Sequence, residues 1–142
     1  MYSTKQNLMI LSTFLIVIMF VISGVGKIKD FKSTSAGLQQ RFPYGNLLPI
    51  QFFQLSIFGV IVLLLLGPMI LMANDIPYFK RMAPSLLNKL SQLVSVGLAI
   101  FTVLATLLYH LPPVGPDFYA TLKNTSITGA FILLYLVHSK QV

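Results

Sequence analysis

Apolar positions come in four long runs, at about 8–26, 49–73, 90–111 and 121–137, separated by short polar stretches. An apolar helix needs about 20 residues to cross a hydrocarbon core roughly 30 Å thick, so each run has the length of one crossing. Four crossings with short connections account for all 142 residues. The chain therefore reads as one transmembrane domain over 1–142, an all-α integral membrane four-helix bundle with no room for a soluble domain.

The ends of the runs are marked by residue type. The first, LMILSTFLIVIMFVISGVG, stops at Lys27-Ile28-Lys29-Asp30, where charge reaches the headgroups. The polar 1–7 stretch with its one Lys, the apolar core and the small Ser23-Gly24-Val25-Gly26 also resemble a signal peptide, but the expectation here is a retained spanning helix. The second run opens at Pro49, a residue suited to a first helical turn, and Pro68 is expected to kink its far end. In the third, Ser91, Ser95 and Ala99 recur every four residues, and in the fourth Ser126 and Ala130 flank Gly129. Small residues on one face let neighbouring helices approach closely, so both runs are expected to pack in the bundle.

The connections differ in kind. In 27–48, Ile28, Phe31, Leu38 and Phe42 stand among Lys29, Lys32, Gln39, Gln40 and Arg41, the mixture of an interfacial amphipathic helix or a partly re-entrant segment. The 74–89 connection carries Lys80, Arg81 and Lys89 with Pro77 and Pro84, and 112–120 is short and holds three prolines.

Only 9% of the residues are charged, where a soluble domain would have roughly 25%. The net charge of +7 is scattered between the runs, as expected of residues facing anionic headgroups. It forms no basic stripe with interleaved aromatics, which argues against a nucleic-acid partner. Cysteine is absent, so disulfides, thiolate metal sites, cysteine-ligated clusters and CxxC redox chemistry are excluded within this chain.

Four crossings assign every residue to a side. The basic residues divide evenly, Lys5, Lys80, Arg81, Lys89 and Lys140 with the termini and Lys27, Lys29, Lys32, Arg41 and Lys123 opposite. If Lys27 and Lys123 turn inward, the positive-inside rule leans towards termini on the cytoplasmic or matrix side.

The same topology gathers the polar exceptions. Lys27 and His110 end their runs at the face where Gln54, Lys123 and Asn124 begin theirs, with Asp30 and Asp117 as the nearest carboxylates. Polar side chains at membrane depth are costly, and their coincidence predicts one vestibule lined by Lys27, Gln54, His110, Lys123 and Asn124. Two ammonium groups, an imidazole and two amides suit an oxygen-bearing ligand, such as a quinone carbonyl, a lipid headgroup or a small anion. His110 and His138 fall at opposite faces, roughly 25 Å or more apart, which excludes a bis-histidine haem. A metal site would need His110 with Asp30 and Asp117 alone, and none is expected. Neither a Ser-His-Asp arrangement nor a glycine-rich phosphate loop is visible.

At these residues the chain resembles the DoxX-like family of small four-helix membrane proteins. The likeness lies in ISGVGKIKDF at 22–31, FFQLSIFGVIVLLLLG at 52–67, LATLLYHLPP at 104–113 and LKNTSITGAFILL at 122–134. The family commonly has a glutamate where Gln54 aligns, and the amide cannot serve as an ionised partner for Lys27. The resemblance implies a four-helix bundle related to the membrane subunit of thiosulfate:quinone oxidoreductase. The leading expectation is an accessory subunit of a larger membrane assembly, without catalytic activity of its own and surrounded by lipids and other membrane subunits. The alternatives are a quinone-binding oxidoreductase component, with Phe52, Phe53 and Tyr109 flanking the ring, and a lipid or cargo binder. No covalent cofactor is expected; a quinone or a bound lipid is the candidate occupant.

Overall fold

Each apolar run becomes a helix longer than the run itself. The computed structural model describes residues 3–112 and 114–139, and among them the order is α1 (Thr4–Lys29), α2 (Phe31–Arg41), a 3-10 turn (Gly45–Leu47), α3 (Ile50–Asp75), α4 (Pro77–Met82), α5 (Pro84–Tyr109) and α6 (Pro116–Ser139). Twenty-six residues, the length of α1, α3 and α5, rise through about 39 Å, beyond the roughly 30 Å of hydrocarbon. The extra turns hold the flanking polar residues. Backbone pairing there costs nothing that the adjoining turns have not already organised, so the helices continue past the apolar boundary.

Residue chemistry sets the ends. The Ser3 hydroxyl accepts from the Gln6 backbone N–H at 3.3 Å and caps α1. Lys27 and Lys29 lie in its last turn, where cations favour the helix dipole. Pro77 and Pro84 open α4 and α5, positions where the missing N–H has no intrahelical partner to lose. The 74–89 connection is thus almost wholly helical rather than a loop. Pro68 is buried inside α3, and the helix continues through it.

Among the described residues, four helices are long and apolar enough to cross a membrane, as in a multi-pass membrane protein. Leu15, Leu55, Leu93 and Leu133 face outward, as a lipid-facing exterior requires. The α3 helix lies between α1 and α5, and α6 packs along α5. The core takes Val17 and Phe20 from α1, Leu64 and Leu71 from α3, Val94 and Leu98 from α5, and Phe131 and Leu134 from α6. Phe20 meets Phe131 edge to face with centroids 5.1 Å apart, a pairing that adds roughly 0.5–1.5 kcal/mol beyond area burial.

Close approach depends on two glycines. A methyl group at Gly24 would come within 2.9 Å of Leu65 Cδ2, and one at Gly67 within 3.0 Å of Val94 Cγ1. The small-residue face of α5 holds, with Ser91 and Ser95 fully buried. In α6, Ala130 is half-buried and lines a cleft beside α1, while a methyl group at Gly129 would meet nothing within 4 Å.

The amphipathic segment after the first crossing is α2, which packs on α3. Its far end is stapled to the returning chain by Gln39, whose Nε2 donates to Leu48 O at 3.0 Å and Gly45 O at 3.3 Å. Gly45 lies so close to the Gln39 carbonyl that any side chain there would collide with backbone.

Candidate functional site

The ends of α1, α5 and α2 and the starts of α3 and α6 enclose a chamber of about 930 Å³, within the usual size of small-molecule sites. Its floor is apolar, with Met19, Phe20, Phe53, Ile57, Phe101 and Ile127. Polar groups gather at the rim: Ser23 and Lys27 from α1, Asp30 beside α2, Lys123 and Asn124 from α6, and His110 after α5.

Four of the five vestibule residues expected from the sequence therefore line one chamber, namely Lys27, His110, Lys123 and Asn124. Gln54 does not. It is half-buried on α3, while Phe53, Ser56 and Ile57 of the same helix line the chamber. At 100° per residue, the lining face takes 52, 53, 56, 57 and 60, and 54 lies beyond its opposite edge.

Two of the expected donors are already engaged. Asn124 Nδ2 donates to Thr106 Oγ1 at 3.0 Å and ties α6 to α5. His110 Nδ1 lies 3.0 Å from Asp117 Oδ1, and the Thr121 hydroxyl donates to the His110 carbonyl at 3.3 Å. These contacts fix the geometry of the α5–α6 corner and leave His110 Nε2 and the second Asn124 amide hydrogen outside them. Asp117, in the first turn of α6, also lies at the positive end of that helix dipole.

The remaining cations are differently placed. Lys27 is half-buried, and its ammonium donates to Ser23 Oγ at 2.9 Å. The Arg41 guanidinium carbon stands 4.7 Å from the centroid of the Tyr109 ring, a cation–π contact that holds it at the chamber mouth. Among the described residues, no carboxylate lies within 4.0 Å of Lys27, Arg41 or Lys123. Asp30 is the chamber's carboxylate.

Arg41 and the α2 face are the residues that the reading of the vestibule missed. Asp30, Ser33, Thr34, Gly37, Leu38 and Arg41 all line the chamber, at the three- and four-residue spacing of one helix face. That spacing was visible in the sequence, but a segment read as lying along the interface gave no reason to fold it over the helix ends.

A second polar cluster sits at the opposite end. The Thr13 hydroxyl donates to Asp75 Oδ2 at 2.5 Å, and His138 Nε2 stands 3.1 Å from Asp75 Oδ1. This cluster joins α1, α3 and α6. Thr13 and His138 are fully buried, with Asp75 nearly so. An ionised carboxylate only accepts hydrogen bonds, so in that state it takes both the threonine and the imidazole proton. Gln92 Nε2 donates to the His138 carbonyl at 3.4 Å and adds α5 to the junction. The Asn74 amide, the Ser91 and Ser95 hydroxyls and His138 Nδ1 are buried at the same end with no hydrogen-bond partner among the described residues. Topology had placed His138 at this end, and Asp75 closes the second run on the same side. The crossings put both at one face, and the packing of α6 brings them into contact. Lys140, expected on this side, lies outside the described residues.

Among the described residues no group of three His, Cys, Asp or Glu side chains stands together as a metal ligand set. The chamber therefore offers cations, hydroxyls and aromatic walls: the means to bind and orient an oxygen-bearing molecule. Comparison with known proteins finds no matching family model, no matching curated protein and no matching solved structure.

Proposed function

We propose that this chain is a non-catalytic binding subunit of a larger membrane assembly, DoxX-like in kind, whose chamber holds an amphipathic ligand. One observation carries the reading: a cavity of about 930 Å³ that is apolar below and polar at its rim, built from five helices of the chain. Such a gradient matches a molecule with an apolar body and an acceptor-rich head. The donors that the rim supplies suit the binding of such a head.

A quinone is the second reading, favoured by Phe42, Phe52, Phe53 and Tyr109 along the wall. Phe53 meets Phe42 and Phe52 edge to face, with centroids 5.8 and 5.3 Å away. An aromatic wall of this kind accepts a flat ring as well as an acyl chain. If this reading holds, His110→Ala weakens quinone retention; unchanged retention sinks it.

Occlusion tests the chamber itself. Gly37 lines it, and a Cβ added there meets no atom within 4 Å, so Gly37→Phe starts from open space and projects a ring into the chamber. Organic extraction of the purified full chain is expected to yield a bound amphipath that the Gly37→Phe variant lacks. Equal recovery from both proteins removes the chamber as the site. For the assembly, native electrophoresis in mild detergent is expected to show a complex larger than the chain, and migration only as a free monomer overturns that part.

A further inference from the structure

The rim carries more positive charge than the protein neutralises. Lys27, Arg41 and Lys123 face a chamber whose one carboxylate among the described residues, Asp30, lies within 4.0 Å of none of them. We propose that the ligand is an anionic amphipath, with a phosphate or carboxylate head held by Lys27, Arg41 and Lys123 and an apolar chain on the chamber floor. This rests on the chamber being a ligand site, and it names the ligand's charge.

Three features support the assignment. Lys27 is half-buried at the end of a spanning helix, with a neutral hydroxyl as its hydrogen-bond partner. A cation so placed favours an anion near it, because removal from water weakens its solvation and strengthens its pairing. Arg41 is held before binding: its guanidinium rests on the Tyr109 ring, and Gln39 staples the same end of α2 to the return loop. A guanidinium with its face on a ring keeps its N–H edge for two parallel bonds to an oxyanion, and its pre-organisation lowers the entropy lost on binding. A neutral head such as a quinone would satisfy donors but leave the excess charge uncompensated. His110 is not a fourth free cation, since Asp117 stands 3.0 Å from its ring nitrogen.

Lys29 and Lys32 provide the internal control. Both lie near the same end and face outward, and neither lines the chamber. Simple attraction of an anionic surface would use them as much as Lys27 and Arg41.

Native mass spectrometry of the full chain in a charge-neutral detergent, with added lipid, makes the test. Phosphatidylglycerol or oleate is expected to be retained about tenfold more than phosphatidylcholine or a short-chain quinone. The anion that is retained identifies the head as phosphate or carboxylate. Lys27→Gln with Arg41→Gln is expected to lower that retention by about fivefold per residue, and Lys29→Gln with Lys32→Gln to leave it unchanged. The headgroup assignment falls if phosphatidylcholine or quinone is retained equally, if the Lys29 and Lys32 pair matters as much, or if inorganic phosphate alone competes as well as the amphipath. The chamber reading survives the first of these results; retention of nothing at all overturns both. The selectivity is read on the unaltered chain, so a variant that fails to fold does not remove the test.

Discussion

The two ends of the bundle handle polar chemistry in opposite ways. At the end near the termini, one carboxylate is sealed among α1, α3 and α6, and its oxygens meet Thr13 and His138 at 2.5 and 3.1 Å. At the other end, Lys27, Arg41 and Lys123 surround an open chamber, and no carboxylate among the described residues comes within 4.0 Å of any of the three. A buried charge inside a membrane protein is tolerated when groups around it satisfy it. The closed end pairs its carboxylate with a hydroxyl and an imidazole of the same chain and so acts as a junction between helices. The open end keeps cations without a protein anion, the property of a surface shaped for something else to bind.

The contrast breaks most directly at Asp75. Asp75→Leu leaves the Thr13 hydroxyl and the His138 ring without their partner in a sealed site, and removing one member of a buried pair costs roughly 3–5 kcal/mol. Thermal or denaturant unfolding of the purified protein is expected to show a loss of that size. A change below about 0.5 kcal/mol, the range of ordinary surface substitutions, would mean the junction is not structural. Gly45→Val strikes the roof of the open end, where a side chain collides with the Gln39 backbone carbonyl. Such overpacking costs about 1–3 kcal/mol, and the loss is expected to be local. Hydrogen exchange should accelerate across α2 while the cores of α3 and α5 stay protected; uniform acceleration would instead make α2 part of the cooperative bundle. Thr13→Val, nearly isosteric, takes one hydrogen bond from Asp75 but leaves His138 in place, at an expected cost of about 1–2 kcal/mol in the same unfolding measurement. A loss as large as that of Asp75→Leu would show that the threonine, and not the imidazole, carries the junction.

Much of this architecture is legible in the residues because hydrocarbon imposes one strong rule. Backbone groups must be paired inside the segment, so a long apolar run declares a helix, and four runs assign every residue to a side. That argument brought Lys27, His110, Lys123 and Asn124 to one chamber. It could not turn residues about the helix axis, and Gln54 shows the limit: one position from Phe53, it falls off the lining face. It was equally blind to pairing across helices. Asn124 and His110 look like free donors until Thr106 and Asp117 are found beside them. Asp75 and His138, 63 positions apart, meet only through the packing of α6 against the bundle. The helices outrun the apolar runs for a simpler reason, since apolar residues mark a stretch of hydrocarbon length while the helices continue into the polar flanks.

The smallest expected effect concerns a sign, and it separates the two ends most sharply. Lys27→Met keeps the length of the side chain and removes the charge. In a neutral detergent without an anionic amphipath, the substitution is expected to raise stability by about 0.5 kcal/mol or leave it unchanged. A half-buried ammonium without an anion is a desolvation cost, and the Ser23 hydroxyl it leaves behind can bond to the carbonyl four residues earlier. Adding phosphatidylglycerol or oleate should reverse the order, because ligand bound to the folded state stabilises the protein with the tighter site. The unaltered chain then gains more than the variant. Melting temperatures of both proteins, with and without the anion, make the comparison. If Lys27→Met is the less stable protein in both conditions, Lys27 has a satisfying partner within the fold, and the open end works on the same internal principle as the closed one.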